Sequence, residues 1–189
     1  MRKISDNTKE IFEVVDGKGN IIGKATRKEC HQNKKLIHQA VNLFVFNKKG
    51  RILLQKRSQT KDLYPGWFTG SATGHLDLNE SFKQAAAREA KEEIGIKLKQ
   101  KDLKFIDKFL IKAEKESELV AVFLTNYYGL FKKSKEEIQK LVWLELDDLF
   151  EKIDKEEIRL TPCSKYILKH KKVRSIMKNY IDSKLGLRS

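Results

Sequence analysis

The chain reads as an α/β domain, and three observations predict it. Short apolar runs rich in Val, Ile, Leu and Phe recur through residues 10–144, separated by turn-forming Gly, Asn and Asp. Residues 81–94 contain no Gly or Pro and carry three consecutive alanines, which favours one helix. A lysine-rich amphipathic stretch, residues 165–185, follows the last apolar run.

In chain order, residues 10–26 are two apolar runs around Asp16-Gly17-Lys18-Gly19, a β-hairpin pattern. Residues 27–33 read as a short polar helix or turn. A strand at 38–46, the turn Asn47-Lys48-Lys49-Gly50 and a returning strand at 51–56 come next. Pro65 and Gly66 mark 61–66 as a loop, and 67–76 is expected to be extended or irregular. The helix at 81–94 takes Asn79 as its expected cap and Gly95 as its stop. Phe82, Ala86, Ala90 and Ile94 form a stripe that can fix it to a sheet. Strands are expected at 103–113, 119–128 and 138–144, the last with Trp143 in the core. A short acidic helix at 146–154 is expected to be capped by Asp147 or Asp148. The final helix has the stripe Tyr166, Lys169, Val173, Ile176, Met177, Tyr180 and Leu185, suited to packing on the domain, or else to a homodimer contact or a nucleic-acid face. No repeat or linker interrupts the chain, so one domain over 1–189 is expected, with 1–33 as an N-terminal hairpin extension and 163–189 as a C-terminal helix.

Forty Lys and Arg against 26 Asp and Glu give a net charge of +14. Nucleic acid is a conceivable partner for such a chain, but no basic stretch is interleaved with base-stacking aromatics, so a lysine-rich solvated surface is preferred. The excess charge would still attract a phosphorylated small molecule. The two cysteines, Cys30 and Cys163, have no metal-type spacing and read as ordinary small side chains of a cytoplasmic protein. No apolar run is long enough to span a membrane, and the first ten residues lack the apolar region of a signal peptide.

Chemistry concentrates in residues 74–96, GHLDLNESFKQAAAREAKEEIGI. On a helix Glu89, Glu92 and Glu93 share a face. Three clustered carboxylates repel unless a hard cation such as Mg²⁺ or Mn²⁺ neutralises them. Arg88 and Glu80 could orient that acidic face. The pattern G-x5-E-x7-R-E-A-x-E-E-x-G-I resembles the Nudix signature at every fixed position. The resemblance implies an α/β/α sandwich with a mixed sheet and a metal site of Glu89, Glu92, Glu93 and the Gly74 carbonyl. It also implies metal-dependent cleavage of a diphosphate linkage, with bound metal activating a water.

Residues 12–168 resemble, more narrowly, the isopentenyl-diphosphate delta-isomerase branch of that superfamily. The resemblance assigns His31, His38, His75, Glu116 and Glu118 to metal binding, one of the two acids being also the acid/base. It assigns Arg57 and Lys61 to the diphosphate. The isomerase pattern has a cysteine immediately before its Gly-His pair, and here that position is Thr73, whose hydroxyl is a far weaker proton donor than a thiol. Because Glu89, Glu92 and Glu93 are all kept, the sequence favours a hydrolase of nucleoside diphosphate-type substrates, with Glu89 or Glu118 as base. Isomerisation, or nucleotide or RNA binding without turnover, are its alternatives. Tyr64, Trp67 and Phe68 could stack on a base, though packing around Pro65 is preferred.

Overall fold

The computed structural model describes residues 6–185. A hairpin of β1 (Ile11–Val15) and β2 (Ile21–Thr26) leads through α1 (Arg27–Cys30) into β3 (Ile37–Phe46) and β4 (Ile52–Arg57). The short strands β5 (Phe68–Thr69) and β6 (Ala72–His75) precede α2 (Phe82–Ile94). Then come β7 (Lys104–Lys112), β8 (Ser117–Asn126), β9 (Ile138–Leu144), α3 (Leu146–Asp154), α4 (Pro162–Lys169) and α5 (Lys171–Leu185).

Among the described residues, all nine strands join one mixed sheet. The long pair β3 and β8 is parallel over ten residues, from Ile37↔Ser117 to Phe46↔Asn126. β3 and β4 share one pair at their turn, Phe46↔Ile52, and then splay apart. The segment 68–75 fills the gap, β5 pairing with β4 and β6 with β3. Because that wedge is short, the sheet opens beside it into a cleft.

Strand alternation sends one set of side chains to each face. Ala40, Phe44, Val120, Val122 and Leu124 pack under α3, α4 and α5, while Val41, Leu43, Val45, Ala121 and Phe123 pack under α2. Helices thus cover both faces, as the Nudix pattern implies. Trp143 is half-buried at the margin of the α2 layer, 5.7 Å from the Phe131 ring, rather than in the core.

Two expected helix caps are corrected. Ser81, not Asn79, caps α2: its hydroxyl accepts the Gln84 N–H while the Gln84 side chain bonds back, a complete capping box. Asn79 instead takes a left-handed turn conformation, φ 61°. Glu145 stands at the cap of α3, with Asp147 and Asp148 in the first turn, where they complement the helix dipole.

The C-terminal helix is two helices, broken at His170. α4 buries Ser164, Ile167 and Leu168, and continuing that stripe without a break would bring the exposed Lys171, Ser175 and Lys178 into the core. The break resets the register so that Val173, Met177 and Tyr180 are buried, leaving Tyr166 and Lys169 exposed. The side chain of Leu185, and residues 1–5 and 186–189 of the expected terminal segments, lie outside the described residues. Among the described residues no helix is long and apolar enough to cross a membrane.

Candidate active site

The cleft has a volume of about 410 Å³ and gathers side chains from widely separated segments. Register explains how. Across β3 and β6, Ala40 faces His75 and Asn42 faces Thr73. Across β3 and β8, His38 faces Glu118. Residues directly opposite one another project to the same face. His38, Asn42, Thr73, His75 and Glu118 therefore share the face covered by α4.

At one end of the cleft His31, His38, His75 and Glu116 each bring a ligand-type atom within 4.8 Å of the others. Glu118 adjoins them, 3.4 Å from His75 Nε2 and 3.9 Å from His38 Nε2. His31 Nδ1 lies 3.0 Å from Asp62 Oδ2, which leaves Nε2 turned toward Glu116 Oε2 at 3.3 Å. A carboxylate on the far ring nitrogen is how metal-bound imidazoles are commonly held. His38 Nε2 has no hydrogen-bond partner among the described residues although the residue is fully buried. Phe12 stacks on the His38 ring at 5.2 Å and closes this end with apolar surface.

The electrostatics agree. Burial, then the charge of His31, lowers His38 to about 3, and burial holds His75 well below the ordinary histidine range. Both stay neutral, as ligands must. Burial raises Glu118 to about 7, against the pull of Arg57 and Arg27. Burial and the neighbouring Glu118 push Glu116 well up. Neutral imidazoles beside carboxyls that resist ionisation fit a divalent cation, which would supply the missing positive charge.

The other end is built by α2. Glu93 is buried, and its Oε2 accepts from Gln55 Nε2 at 2.7 Å and from the Thr73 N–H at 2.8 Å. Burial still raises Glu93 to about 7. Burial and the Glu93 charge raise Glu89 well above the ordinary range. Gly74 lets Glu89 approach β6, because a Cβ there would sit 2.0 Å from Glu89 Oε1. Glu92 also lines the cleft, but its side chain is 56% exposed. Arg88 binds Glu80 through two nitrogens (3.0 and 2.9 Å), Glu89 (2.7 Å), Glu92 (3.2 Å) and the His75 carbonyl (2.8 Å). It ties helix to strand and aims the carboxylates. Gly95, left-handed at φ 73°, ends α2 where a Cβ would meet the Lys132 carbonyl at 2.6 Å.

Arg57 and Lys61 line the cleft between the two ends. Lys61 donates to Asp6 and, at 2.6 Å, to Glu137. Asp6 also accepts the Asp62 N–H at 2.8 Å and lies 3.3 Å from Arg27 Nη2. Its carboxylate thus occupies a nest of donors of the kind that grips a phosphate. Tyr64 lines the cleft and packs on Trp67 at 5.3 Å around Pro65.

Sequence reasoning missed three groups. Asp6 and Arg27 have no motif to announce them. Cys163, expected to be an ordinary small side chain, lines the cleft from the first turn of α4.

A NUDIX domain model matches residues 36–164. The isopentenyl-diphosphate delta-isomerase 2 of Homo sapiens is 30% identical over 185 residues, covering 85% of this chain and 82% of that protein. An uncharacterized Nudix hydrolase of Yersinia pestis is 29% identical, covering 77% of this chain and 78% of that protein. Among solved structures, DR0079 from Deinococcus radiodurans superimposes with a TM-score of 0.71 at 21% identity, over 83% of this chain and 96% of that one. The sequence relatives thus fall on both the isomerase and the hydrolase side.

Proposed function

The chain belongs to the NUDIX domain family, and from that premise we propose that it isomerises a small isopentenyl-type diphosphate, shifting a double bond by adding one proton and removing another. The observation that carries this reading is the buried group of His31, His38, His75, Glu116 and Glu118. Cleaving a diphosphate calls on the carboxylates of α2. A second compartment with three imidazoles and an acid pair is surplus to that task, whereas carbon-centred proton transfer needs an acid/base held in place. The isomerases among the relatives support the same reading. It reverses the sequence preference for hydrolysis, which rests on Thr73 and on the kept Glu89, Glu92 and Glu93.

A bound divalent cation would fix the carboxylates of the imidazole end and neutralise phosphate oxygens at the α2 end. The chain's own residues do the rest. His31, His38, His75 and Glu116 form the ligand group, leaving Glu118 beside it as the proton acceptor. Glu93, with Oε2 tied to Gln55 and Thr73, would help hold a cation at the diphosphate end. Arg57 and Lys61 hold the diphosphate, and Phe12 keeps water from the imidazoles.

Diphosphate hydrolysis is the second reading, favoured by the retention of Glu89 and Glu92 in the cleft. Incubation with isopentenyl diphosphate and with nucleoside diphosphates, in Mg²⁺ and in Mn²⁺, followed by proton and phosphorus NMR, separates the two. The allylic isomer without phosphate release is expected; phosphate release from nucleotides without isomer would establish the hydrolase instead.

Asp6 gives an independent check on the diphosphate position. Asp6→Ala frees its donors, so KM is expected to fall roughly 3–10-fold with kcat unchanged, the effect of removing one charge-assisted competitor. An unchanged KM would place the diphosphate elsewhere.

A further inference from the structure

We propose that Cys163 is the acid that delivers the proton to the substrate double bond, with Glu118 taking the second proton away. This rests on the isomerase reading of the cleft. Thr73 offers only a hydroxyl, but the thiol arrives from another element. Asn42, the cross-strand partner of Thr73, shares its face, and Asn42 Nδ2 lies 2.9 Å from Ser164 Oγ and 3.9 Å from Cys163 Sγ. The start of α4 is pinned there. Ser164 Oγ also meets Thr69 Oγ1 at 2.8 Å and the Gly70 N–H at 3.2 Å, and Thr161 caps the helix. Cys163 is thereby fixed on the face that carries Thr73 and Glu118.

A second observation points to a ligand in this place. Asn42 lines the cleft, is 1% exposed, and its Oδ1 has no hydrogen-bond partner among the described residues. A buried amide oxygen left without a partner is uncommon, and this one lies against Gly70, where a Cβ would sit 1.9 Å from it. Burial and the charge of Glu118 push the thiol pKa well up, so it stays protonated, the form a donor needs. Cys30 is no rival: it is fully buried in the hairpin cluster.

The step balances without a redox partner. The S–H bond breaks and a C–H bond forms at the terminal alkene carbon. A C–H bond breaks at the methylene attached to the substituted alkene carbon, its electrons become the new double bond, and its proton passes to Glu118. Proton exchange with solvent then restores the thiol and the carboxylate.

The test compares the full-length chain with Cys163→Ala and Cys163→Ser in Mn²⁺. Readouts are isomerisation kinetics, bound manganese, and inorganic pyrophosphate affinity by calorimetry. In Cys163→Ala, kcat is expected to fall at least ~100-fold, the usual scale for a removed general acid. Manganese content, pyrophosphate affinity and KM should stay within about twofold, as expected when a group acts in the transition state alone. Serine should retain more activity than alanine. Wild-type isomerisation matched by Cys163→Ala would overturn the thiol as donor while leaving the isomerase reading intact. Absence of wild-type isomerisation would remove both.

Discussion

Glu118→Gln is expected to lower kcat for isomerisation by roughly 10³-fold, within the range for loss of a positioned acid/base. Glutamine keeps the size of the side chain but can neither take up nor hold a proton. Glu118 is buried, its pKa is raised to about 7, and it lies 3.4 Å from His75 Nε2. The ligand group of His31, His38, His75 and Glu116 remains, so bound manganese should persist. Glu93→Gln is the contrasting variant. It weakens the diphosphate end, where Glu93 Oε2 is already held by Gln55 and Thr73. It should raise KM for the diphosphate and leave the imidazole end loaded. Under the hydrolase reading the ranking inverts, with Glu93→Gln the more damaging of the two. Steady-state kinetics of both variants on the same substrate decide it.

The elements were legible because their signals are local. The strand 138–144 and the end of the helix at Gly95 follow from short-range pattern, and the Nudix spacing announces α2. The cap of α2 was misread because Asn79 and Ser81 are both good caps, and the reciprocal Gln84 bond decides between them. The break at His170 depends on which face of α4 meets the sheet, a tertiary fact. The candidate site divides the same way. Glu89 and Glu93 could be placed from helical spacing, but Glu92, equally well spaced, lines the cleft with its side chain half exposed. His31, His38 and His75 were recognisable through resemblance, while their convergence needs the register of β3 against β6 and β8. Cys163 lies 90 residues from Thr73 (163 − 73). Nothing in its neighbours marks it as facing a cleft, because that follows from Ser164 being bonded to Asn42 and Thr69.

Manganese is expected to stabilise the fold strongly at pH 8 and weakly at pH 5.5. Glu93 and Glu118 sit near 7 in the metal-free fold against an ordinary 4.5, so the folded state holds protons the unfolded chain has released. Their contribution is fully present below about 4.5 and is lost as pH rises through 7. His38 works in the opposite sense. Lowered to about 3 from 6.5, it contributes stability above 6.5 that is lost as pH falls toward 3. Between 4.5 and 6.5 the two slopes oppose, and above 6.5 the carboxylates alone decide. A cation takes the place of the protons they have lost, so its benefit is greatest where they are ionised and the imidazoles neutral. At a metal concentration one hundred times Kd the gain is about 2.7 kcal/mol. For a chain of this size that corresponds to a rise in Tm of roughly 5–10 °C. At pH 5.5, protons on Glu93 and Glu118 compete with the metal, and the rise should shrink to a few degrees at most. Thermal unfolding with manganese and with EDTA at both pH values measures this directly. Glu116→Gln, which removes a carboxylate from the ligand group, should flatten the response at pH 8. An equal rise at both pH values would mean that the cation binds away from the buried carboxylates, and no rise at pH 8 would remove the metal from both ends of the cleft.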